Sequence, residues 1–276
     1  GTAPQGLALG DFNGDGKLDV VTANGLSDNI SVRLGNGAGA LGAETTFNTG
    51  ALPLMVSVVD VNGDNKLDVV TVNGGDNNVS LLLGDGTGKF AAAAKSPFAV
   101  TAGPDSLTVG DINGDGKADV VVGASATDKF SALIGDGAGG FAAAANYDAT
   151  AGSKPLFLAL ADANGDNKLD LVSASSGNGG GNVLLNDGTG KFLAATAVPG
   201  GTNTAVVVAT DLNGDAKIDL AFANGNNGAV SSNNVSVLLG NGAGTFAPSG
   251  GVAAARGNGA PSVATGDLSG DGKLDY

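Results

Sequence analysis

Short apolar segments recur along the chain, each followed by a polar loop and then by a run of β-branched residues. Residues 7–10 (LALG) and 19–22 (DVVT) are the first such pair, and residues 55–59 (MVSVV) and 68–72 (DVVTV) are the second. Proline precedes most of the first segments and marks strand beginnings, because proline cannot occupy the centre of a sheet. No window of helical length has an apolar period of about 3.6 residues with caps, so the pattern predicts short β-strands throughout.

A glycine-rich motif separates the later segments of each unit. It occupies residues 35–39 (GNGAG), 84–88 (GDGTG), 135–139 (GDGAG), 186–190 (NDGTG) and 240–244 (GNGAG). Asn-Gly and Asp-Gly between apolar runs predict hairpin turns, because both central residues of such a turn need positive φ. An apolar residue follows each motif at a fixed place, where we expect a core position: Leu41, Phe90, Phe141, Phe192 and Phe246. Each unit therefore contains four predicted strands.

A nine-residue loop of the form Asp-x-Asn-Gly-Asp-x-Lys-x-Asp occurs six times, at residues 11–19, 60–68, 111–119, 162–170, 211–219 and 267–275. The first aspartates are 49, 51, 51, 49 and 56 residues apart, a period typical of repeat architectures. A small antiparallel sheet must pack against copies of itself, and radial packing also protects its strand edges. We therefore predict an all-β fold, a β-propeller of four-stranded antiparallel blades in a single domain over residues 1–276.

The blade count follows from the same repeats. Five units are complete and a sixth begins at Asp267, so the prediction is five complete blades plus the start of a sixth. The sixth unit stops after its loop, where the earlier units continue for three more strands. We therefore expect a chain truncated at the C-terminus, a fragment of a ring of about six to eight blades.

Acidic and amide side chains alternate with other residues inside each nine-residue loop. Aspartate occupies positions 1, 5 and 9, and position 3 is asparagine except for Ser269. Oxygens at every second residue of a tight loop can converge, and a hard cation such as calcium offsets the repulsion between three close carboxylates. The candidate side-chain ligands are Asp11, Asn13, Asp15 and Asp19; Asp60, Asn62, Asp64 and Asp68; Asp111, Asn113, Asp115 and Asp119; Asp162, Asn164, Asp166 and Asp170; Asp211, Asn213, Asp215 and Asp219; and Asp267, Ser269, Asp271 and Asp275.

The net charge supports a metal-binding interpretation. The chain has a formal charge of −14, and 18 of its 27 acidic residues lie in the six loops. Each loop has one lysine, at position 7, so six divalent cations would leave the protein close to neutral. An EF-hand needs an acidic ligand at position 12 of its loop. At position 12 this chain has no acidic residue, which excludes an EF-hand; the residues at that position are Thr22, Thr71, Val122, Ser173 and Phe222.

The composition excludes several classes of function. His, Cys and Trp are absent, which excludes His- or thiol-based catalysis, zinc sites with nitrogen or sulfur ligands, and disulfides. The 13 Lys and Arg residues are unclustered, so we expect no nucleic-acid partner, and no apolar run is long enough to predict a membrane span. Asp85, Asp136 and Asp187 lie in glycine-rich motifs where Asn36 and Asn241 replace them. This exchange favours a turn role over catalysis, so we expect a protein that is not an enzyme.

The loop, the strand after it and the Gly-Asp-Gly-x-Gly-x-Phe hairpin together resemble FG-GAP/VCBS repeats, found in integrin α-subunit propellers and in many bacterial secreted proteins. The resemblance covers essentially the whole chain. It implies that the loop joins the first two strands of a blade. It also implies up to six Ca²⁺ ions, each bound by the side chains of positions 1, 3, 5 and 9 and by the position-7 backbone carbonyl. The implied carbonyl ligands are those of Lys17, Lys66, Lys117, Lys168, Lys217 and Lys273.

Two further loop positions refine this expectation. Position 8 is apolar in every loop, as expected of a side chain that anchors the loop to the core: Leu18, Leu67, Ala118, Leu169, Ile218 and Leu274. Position 6 is Gly or Asn, which tolerate left-handed backbone, except for Ala216. Because Ala216 and Ser269 depart from the pattern, we expect loops five and six to be the weaker sites.

Two roles fit a calcium-binding propeller of this kind. The first is an extracellular binding or adhesion module, in which calcium is structural and a protein or glycan ligand binds a propeller face. The alternative is a non-catalytic calcium-stabilised domain of a larger secreted enzyme, such as a polysaccharide-degrading one. The candidate ligand contacts are residues that differ between repeats: Arg33, Glu44, Lys129, Tyr147, Arg256 and the insertion at 224–234. Extracellular calcium fills weak sites and the composition suits a secreted prokaryotic protein, so we expect an extracellular or cell-surface location.

Overall fold

Every helix or strand in the described residues is a β-strand, and the strands form five antiparallel sheets in chain order. The computed structural model describes residues 1–225, 234–249 and 262–267. Sheet 1 contains β1 (Pro4–Gly10), β2 (Asp19–Asn24), β3 (Asn29–Arg33) and β4 (Thr45–Asn48). Sheet 2 contains β5 (Pro53–Val59), β6 (Asp68–Asn73), β7 (Asn78–Gly84), β8 (Phe90–Ala92) and β9 (Phe98–Ala99).

The remaining three sheets have four strands each. Sheet 3 contains β10 (Ser106–Gly110), β11 (Asp119–Ala124), β12 (Lys129–Leu133) and β13 (Ala145–Asp148). Sheet 4 contains β14 (Pro155–Ala161), β15 (Asp170–Ser175), β16 (Gly181–Leu184) and β17 (Thr196–Val198). Sheet 5 contains β18 (Thr204–Thr210), β19 (Asp219–Asn224), β20 (Val235–Gly240) and β21 (Phe246–Pro248). The predicted all-β fold of four-stranded antiparallel units is confirmed.

Sheet 2 departs from the pattern because its outer strand is divided. Both β8 and β9 pair with β7, at Leu82↔Ala92 and at Val79↔Phe98. Pro97 lies between the two pieces and has no amide hydrogen to donate to a ladder. The fourth position of this sheet is therefore filled by two short strands.

The connections alternate between the two ends of each sheet. The nine-residue loop joins the first strand to the second, with Gly10 paired to Asp19 in sheet 1 and Val59 paired to Asp68 in sheet 2. The glycine-rich motif joins the third strand to the fourth. In an antiparallel sheet these two connections lie at the same end, so each nine-residue loop and the glycine-rich hairpin of its own sheet are neighbours.

The described strands belong to two compact units. The first unit comprises residues 1–111, 115–127 and 131–146, and the second comprises residues 112–114, 128–130 and 147–276. Sheets 1 and 2 lie in the first unit, sheets 4 and 5 lie in the second, and sheet 3 contributes residues to both. The single domain over residues 1–276 and the size of the ring stay predictions.

Apolar faces of successive sheets pack together inside each unit. In the first unit, Phe12, Val21 and Ile30 of sheet 1 form a core cluster with Val69 and Phe90 of sheet 2. In the second unit the corresponding cluster comes from sheets 4 and 5: Val172, Ala174, Val183, Leu220, Phe222 and Leu238. The second strands β6, β11, β15 and β19 are buried along their whole length. Burial of each such side chain stabilises the folded protein by roughly 1.5–3 kcal/mol. Packing between neighbouring sheets forms most of the core.

Two residues expected in the core are instead exposed. Leu18 and Leu41 have 64% and 46% of their surface accessible, whereas Phe90, Phe141 and Phe192, the counterparts of Leu41, are buried. Leu67, the counterpart of Leu18, packs against the cluster that contains Phe12 of sheet 1. Because Leu18 and Leu41 are exposed, the expectation of core anchoring is wrong at these two positions.

Asp105 has one buried carboxylate oxygen without a partner. It lies just before β10, where Oδ2 accepts hydrogen bonds from the hydroxyl and the amide of Ser125. Its Oδ1 is buried and has no hydrogen-bond partner among the described residues. Burial raises the pKa of the Asp105 carboxyl to about 6. Because this folded-state pKa lies above the usual value for aspartate, the ionised form destabilises the fold, and stability is lost as pH rises through about 6.

The Asp105→Leu variant should be more stable than the wild type at neutral pH. Sheets 2 and 4 carry Leu54 and Leu156 at the equivalent position after proline, so leucine suits this site. After allowance for partial exposure, we expect a gain of about 1–2 kcal/mol at about pH 7.5 and little gain at about pH 4, measured by urea unfolding. Asp148→Asn is the control, because the Asp148 side chain is 82% exposed. A gain that is the same at both pH values would contradict the assignment.

Candidate functional site

The position-1 aspartate closes each nine-residue loop onto its own backbone. In the first loop, Asp11 Oδ1 accepts the amides of Gly14 at 2.8 Å and Asp15 at 3.2 Å, and Oδ2 accepts the amide of Gly16 at 2.7 Å. The same acceptor role recurs at Asp60, Asp111, Asp162 and Asp211. This carboxylate therefore organises the turn by satisfying amides that the tight loop leaves unpaired.

Positions 3 and 5 continue the same pattern along the loop. The side-chain oxygen of Asn13 accepts the Asp15 amide at 3.1 Å, and Asp15 Oδ1 accepts the Lys17 amide at 3.0 Å. The second, fourth and fifth loops repeat both contacts. The side chains of positions 1, 3 and 5 are thus brought to one turn, each with acceptor oxygens directed at the loop.

The residue at position 6 adopts left-handed backbone in every loop that the structure describes in full. Its φ is 77° at Gly16, 61° at Asn65, 78° at Gly116, 62° at Asn167 and 64° at Ala216. Its amide donates to Oδ2 of the position-1 aspartate in all five cases. Ala216 thus has the same conformation as its counterparts, but its Cβ makes that conformation costly.

The position-9 aspartate is fully buried and is the first residue of the second strand in each sheet. In the first loop, Asp19 Oδ2 accepts the Phe12 amide at 2.8 Å and Oδ1 accepts the Gly35 amide at 2.7 Å. The equivalent pairs of bonds recur at Asp68, Asp170 and Asp219. Each of these carboxylates joins the start of its loop to the start of the glycine-rich hairpin.

Burial and neighbouring carboxylates act together on the position-9 residue. Burial raises the pKa of Asp68 above its usual value, opposed by the amides of Gly84 and Val61 and reinforced by the negative charges of Asp64 and Asp60. Burial raises the pKa of Asp170 in the same way, with Asp166 and Asp162 as the reinforcing charges. The carboxylates of one loop therefore lie close enough to repel one another.

Comparison with known protein families connects these loops to their relatives. Residues 11–71, 60–122, 162–222 and 211–276 match the FG-GAP-like repeat, and residues 103–144 match the FG-GAP repeat. The chain belongs to the FG-GAP-like repeat family. A search of curated proteins found no match to this chain.

Solved structures with a similar fold include three that cover most of this chain. BBS1N, solved in complex with ARL6DN, has a TM-score of 0.53 at 16% identity, covering 81% of this chain and 62% of BBS1N. A protein from Lactobacillus plantarum has a TM-score of 0.60 at 16% identity, covering 89% and 69%. The biofilm matrix protein Bap1 of V. cholerae has a TM-score of 0.50 at 18% identity, covering 90% and 38%. These likenesses show a propeller-like fold alone, and the chain spans about three fifths of the length of BBS1N.

The structure gathers some of the FG-GAP loop residues more closely than others. Among the residues it describes, no group of three or more Asp, Glu, His or Cys side chains is close enough together to hold a metal ion. Positions 1, 3 and 5 share one turn, while position 9 directs both oxygens to backbone amides. In the sixth loop only Asp267 is described, and Ser269, Asp271, Lys273 and Asp275 lie outside the described residues. Along the described part of the chain, no helix has the length and apolarity to span a membrane.

The donor set of each FG-GAP loop nonetheless fits a hard divalent cation in its chemistry. All side-chain groups at positions 1, 3, 5 and 9 of the described loops are carboxylates or amides, and the charges of positions 1 and 5 add to the burial that raises the pKa of the position-9 carboxyl at Asp68 and Asp170. Oxygen ligands and excess negative charge are what calcium selects. The residues present therefore fit calcium, although the loops are already closed by hydrogen bonds.

The residues that differ between repeats make local contacts. Arg33 pairs with Glu44 at 3.7 Å, Lys129 pairs with Asp148, and the Tyr147 ring packs edge-on against Phe192. Arg256 and residues 226–233 of the insertion lie outside the described residues. The Asp and Asn residues of the hairpins use Oδ1 to accept amides two residues further on, at Asn36, Asp85, Asp136, Asp187 and Asn241. Their predicted turn role is confirmed.

Asn186 is a site residue that sequence reasoning missed. It replaces the glycine that begins the other hairpins, and its side-chain Nδ2 donates to the backbone carbonyls of Ile112 at 2.6 Å and Leu169 at 2.9 Å. The signal was present, because the fourth glycine-rich motif is the single one that begins with Asn.

Replacing the position-9 aspartate should destabilise the protein even without metal. Asp68→Asn keeps the size but offers one acceptor to two buried amides and turns an NH₂ group towards one of them. We expect a loss of about 2–4 kcal/mol in chelator, measured by urea unfolding. Asp64→Asn in the same loop is the matched control and should cost less than about 1 kcal/mol, because its carboxylate is exposed. Equal losses in the two variants would show that Asp68 does not join the start of its loop to the start of the hairpin in the way proposed here.

Replacing Ala216 by glycine should stabilise the fifth loop. Glycine adopts φ near +64° without the steric cost that a Cβ has in left-handed backbone, and the hydrogen bond from the backbone amide at this position to Asp211 is retained. We expect a gain of about 1 kcal/mol, seen as a higher urea midpoint with an unchanged slope. Gly116→Ala is the reciprocal change and should lose a similar amount; a neutral result in both would show that these loops tolerate Cβ.

Proposed function

We propose that this FG-GAP-like repeat domain is an extracellular calcium-binding β-propeller that acts as a binding or adhesion module. Calcium has a structural role in the loops between the first two strands of each sheet. The observation that carries the proposal is the repeated loop, in which the side-chain oxygens of positions 1, 3 and 5 lie around a single turn. The negative charges of positions 1 and 5 also add to the burial that raises the pKa of the position-9 carboxyl, as at Asp68 and Asp170. A cation that neutralises this charge stabilises the folded loop.

Each loop would hold its ion through the side chains of positions 1, 3 and 5, with the position-7 carbonyl and position 9 completing the set. Asp60, Asn62 and Asp64 are the side chains that face one turn in the second loop. The bound ion supplies positive charge and rigidity, and it performs no reaction. The fifth loop is the weakest of the described five, because Ala216 already strains it.

The proposed location follows from calcium availability. Exposed loops of this kind, with several carboxylates partly satisfied by amides, suit dissociation constants on the order of 10⁻⁴–10⁻³ M, which only extracellular calcium can saturate. One structural neighbour is a biofilm matrix protein of V. cholerae. That neighbour supports a role at the outside of a prokaryotic cell, where a protein or glycan would bind a face of the propeller.

A second candidate role is a non-catalytic calcium-stabilised domain of a larger secreted enzyme. The observation that favours it is that this chain covers only 38% of the Bap1 chain and 62% of BBS1N. A domain that forms part of longer proteins is suited to holding a neighbouring domain in place. Binding of glycan or protein by the isolated domain would favour the first role over this one.

Chelation should lower the melting temperature of the protein, and calcium should restore it. At a calcium concentration ten times the dissociation constant, each filled site contributes about 1.4 kcal/mol by mass action, so several sites together approach the stability of an ordinary domain. Differential scanning calorimetry in excess chelator and in millimolar calcium measures this effect.

Monovalent salt at matched ionic strength is the control for screening of the −14 charge. Isothermal titration then counts the ions, and Asp60→Ala should remove one of them, as should Asp111→Ala. Asp267→Ala should remove none if Ser269 weakens the sixth loop as the sequence predicts. A melting curve that is the same in chelator and in calcium, with no heat of calcium binding, would exclude the proposal.

A further inference from the structure

The side chain of the position-7 lysine makes the same ion pair in all five loops that the structure describes in full. Its ammonium lies beside Oδ2 of the position-5 aspartate, at Nζ–Oδ2 distances between 3.1 and 3.5 Å. The pairs are Lys17–Asp15, Lys66–Asp64, Lys117–Asp115, Lys168–Asp166 and Lys217–Asp215. Surface pairs of long side chains are usually variable in geometry, so fivefold repetition requires a further constraint.

That constraint is packing of the lysine stem against the glycine-rich hairpin of the same sheet. A Cβ added to the second glycine of the motif would lie 3.0 Å from the Lys17 stem at Gly37, 3.1 Å from the Lys66 stem at Gly86 and 2.7 Å from the Lys117 stem at Gly137. Gly188 and Gly242 meet Lys168 and Lys217 in the same way, at 2.7 and 3.1 Å. In the fourth loop Lys168 Nζ also donates to the Asp187 carbonyl at 3.2 Å. Packing against the hairpin therefore keeps the lysine ammonium next to the position-5 carboxylate of the loop.

The position of this charge matters because of what surrounds it. Each loop has three carboxylates and one ammonium, and the ammonium lies on the position-5 carboxylate, one of the oxygens proposed to bind calcium. A fixed positive charge within a few ångströms of a divalent cation repels it, and it also occupies a carboxylate that the cation needs.

We propose that the position-7 lysine is a tethered counter-cation that sets the calcium affinity of each FG-GAP loop. The inference rests on the proposed function and goes beyond it, because the family resemblance assigns this residue only a backbone carbonyl. Without metal, the ammonium neutralises the position-5 carboxylate and keeps the loop closed. When calcium binds, it competes with the ammonium for that carboxylate. The lysine thus weakens calcium binding and stabilises the metal-free loop.

The test is calcium titration of a variant with Lys→Met at Lys17, Lys66, Lys117, Lys168 and Lys217. Methionine keeps an unbranched stem that can pack on the hairpin glycine but has no charge. We expect calcium to bind about three- to tenfold more tightly, measured by isothermal titration, and the melting temperature in chelator to fall. The single variant Lys66→Met should show the same change in one site and guards against failure of the fivefold variant to fold.

Two control variants test whether calcium affinity depends on the positive charge at position 7. The first separates this effect from that of the side-chain shape, and the second separates it from that of the protein's net charge. Lys66→Arg keeps the positive charge and should keep the weak wild-type affinity. Lys95→Met removes a lysine that pairs with Asp136 outside the nine-residue loops and should leave calcium affinity unchanged. A merely structural lysine would give weaker calcium binding when removed, because a damaged loop binds less well, so an increase in affinity is specific to this inference.

The outcomes distinguish the inference from the proposed function. Calcium binding by the wild type with an unchanged or weaker affinity in both Lys→Met variants overturns the counter-cation role and leaves the calcium proposal standing. A wild-type protein that shows no calcium heat overturns the proposed function and this inference with it. Tighter binding in Lys→Met and wild-type affinity in Lys66→Arg support both.

Discussion

A buried carboxylate that accepts two backbone amides is the interaction on which each sheet depends. Asp19 joins the amide of Phe12, at the start of the nine-residue loop, to the amide of Gly35, at the start of the hairpin, and sheets 2, 4 and 5 repeat this arrangement. Both connections at one end of the sheet are thereby fixed by a single side chain. Aspartate is required because it alone among residues of this size offers two acceptor oxygens and no donor. The cost of burying it is visible in the raised pKa of Asp68 and Asp170.

The residue at position 2 of the nine-residue loop connects the position-9 carboxylate of its own sheet to the following sheet. At Phe12 and Ala163 the amide is held by the position-9 carboxylate, the side chain is buried, and the carbonyl accepts an amide from the hairpin of the following sheet. Within the first unit, the Phe12 carbonyl accepts the Gly88 amide at 2.9 Å, and the Phe12 ring packs edge-on against Phe90. Within the second unit, the Ala163 carbonyl accepts the Gly244 amide at 3.0 Å. One residue therefore joins loop, core and neighbouring sheet.

Local signals made most of the fold predictable from the sequence. Strand beginnings at Pro4, Pro53 and Pro155 and turns at the glycine-rich motifs depend on φ and on missing amides, which are properties of single residues. The two amides held by Asp19 were not predictable, since one of them belongs to Gly35, 16 residues away, and depends on tertiary structure. The exposure of Leu18 and Leu41 was missed for a similar reason. Whether a repeated apolar residue is buried depends on the neighbouring face, which the repeat itself does not encode.

The sequence treated all acidic loop positions as equivalent ligands, and the structure separates them by burial. Position 9 is fully buried and its two oxygens are used by amides, so it serves the fold whether or not a metal is bound. Positions 1, 3 and 5 lie in the exposed turn, where their oxygens accept loop amides that a tight turn would otherwise leave to water. The position-7 lysine, held by the hairpin, reduces the repulsion within that turn. In a loop built in this way, the side chain that joins the two connections of the sheet is buried, and the side chains of positions 1, 3 and 5 that would hold an ion lie in the exposed turn. This division explains how Ala216 is accommodated in the fifth loop: its strain falls on the exposed turn, while Asp219 still joins Leu212 to Gly240.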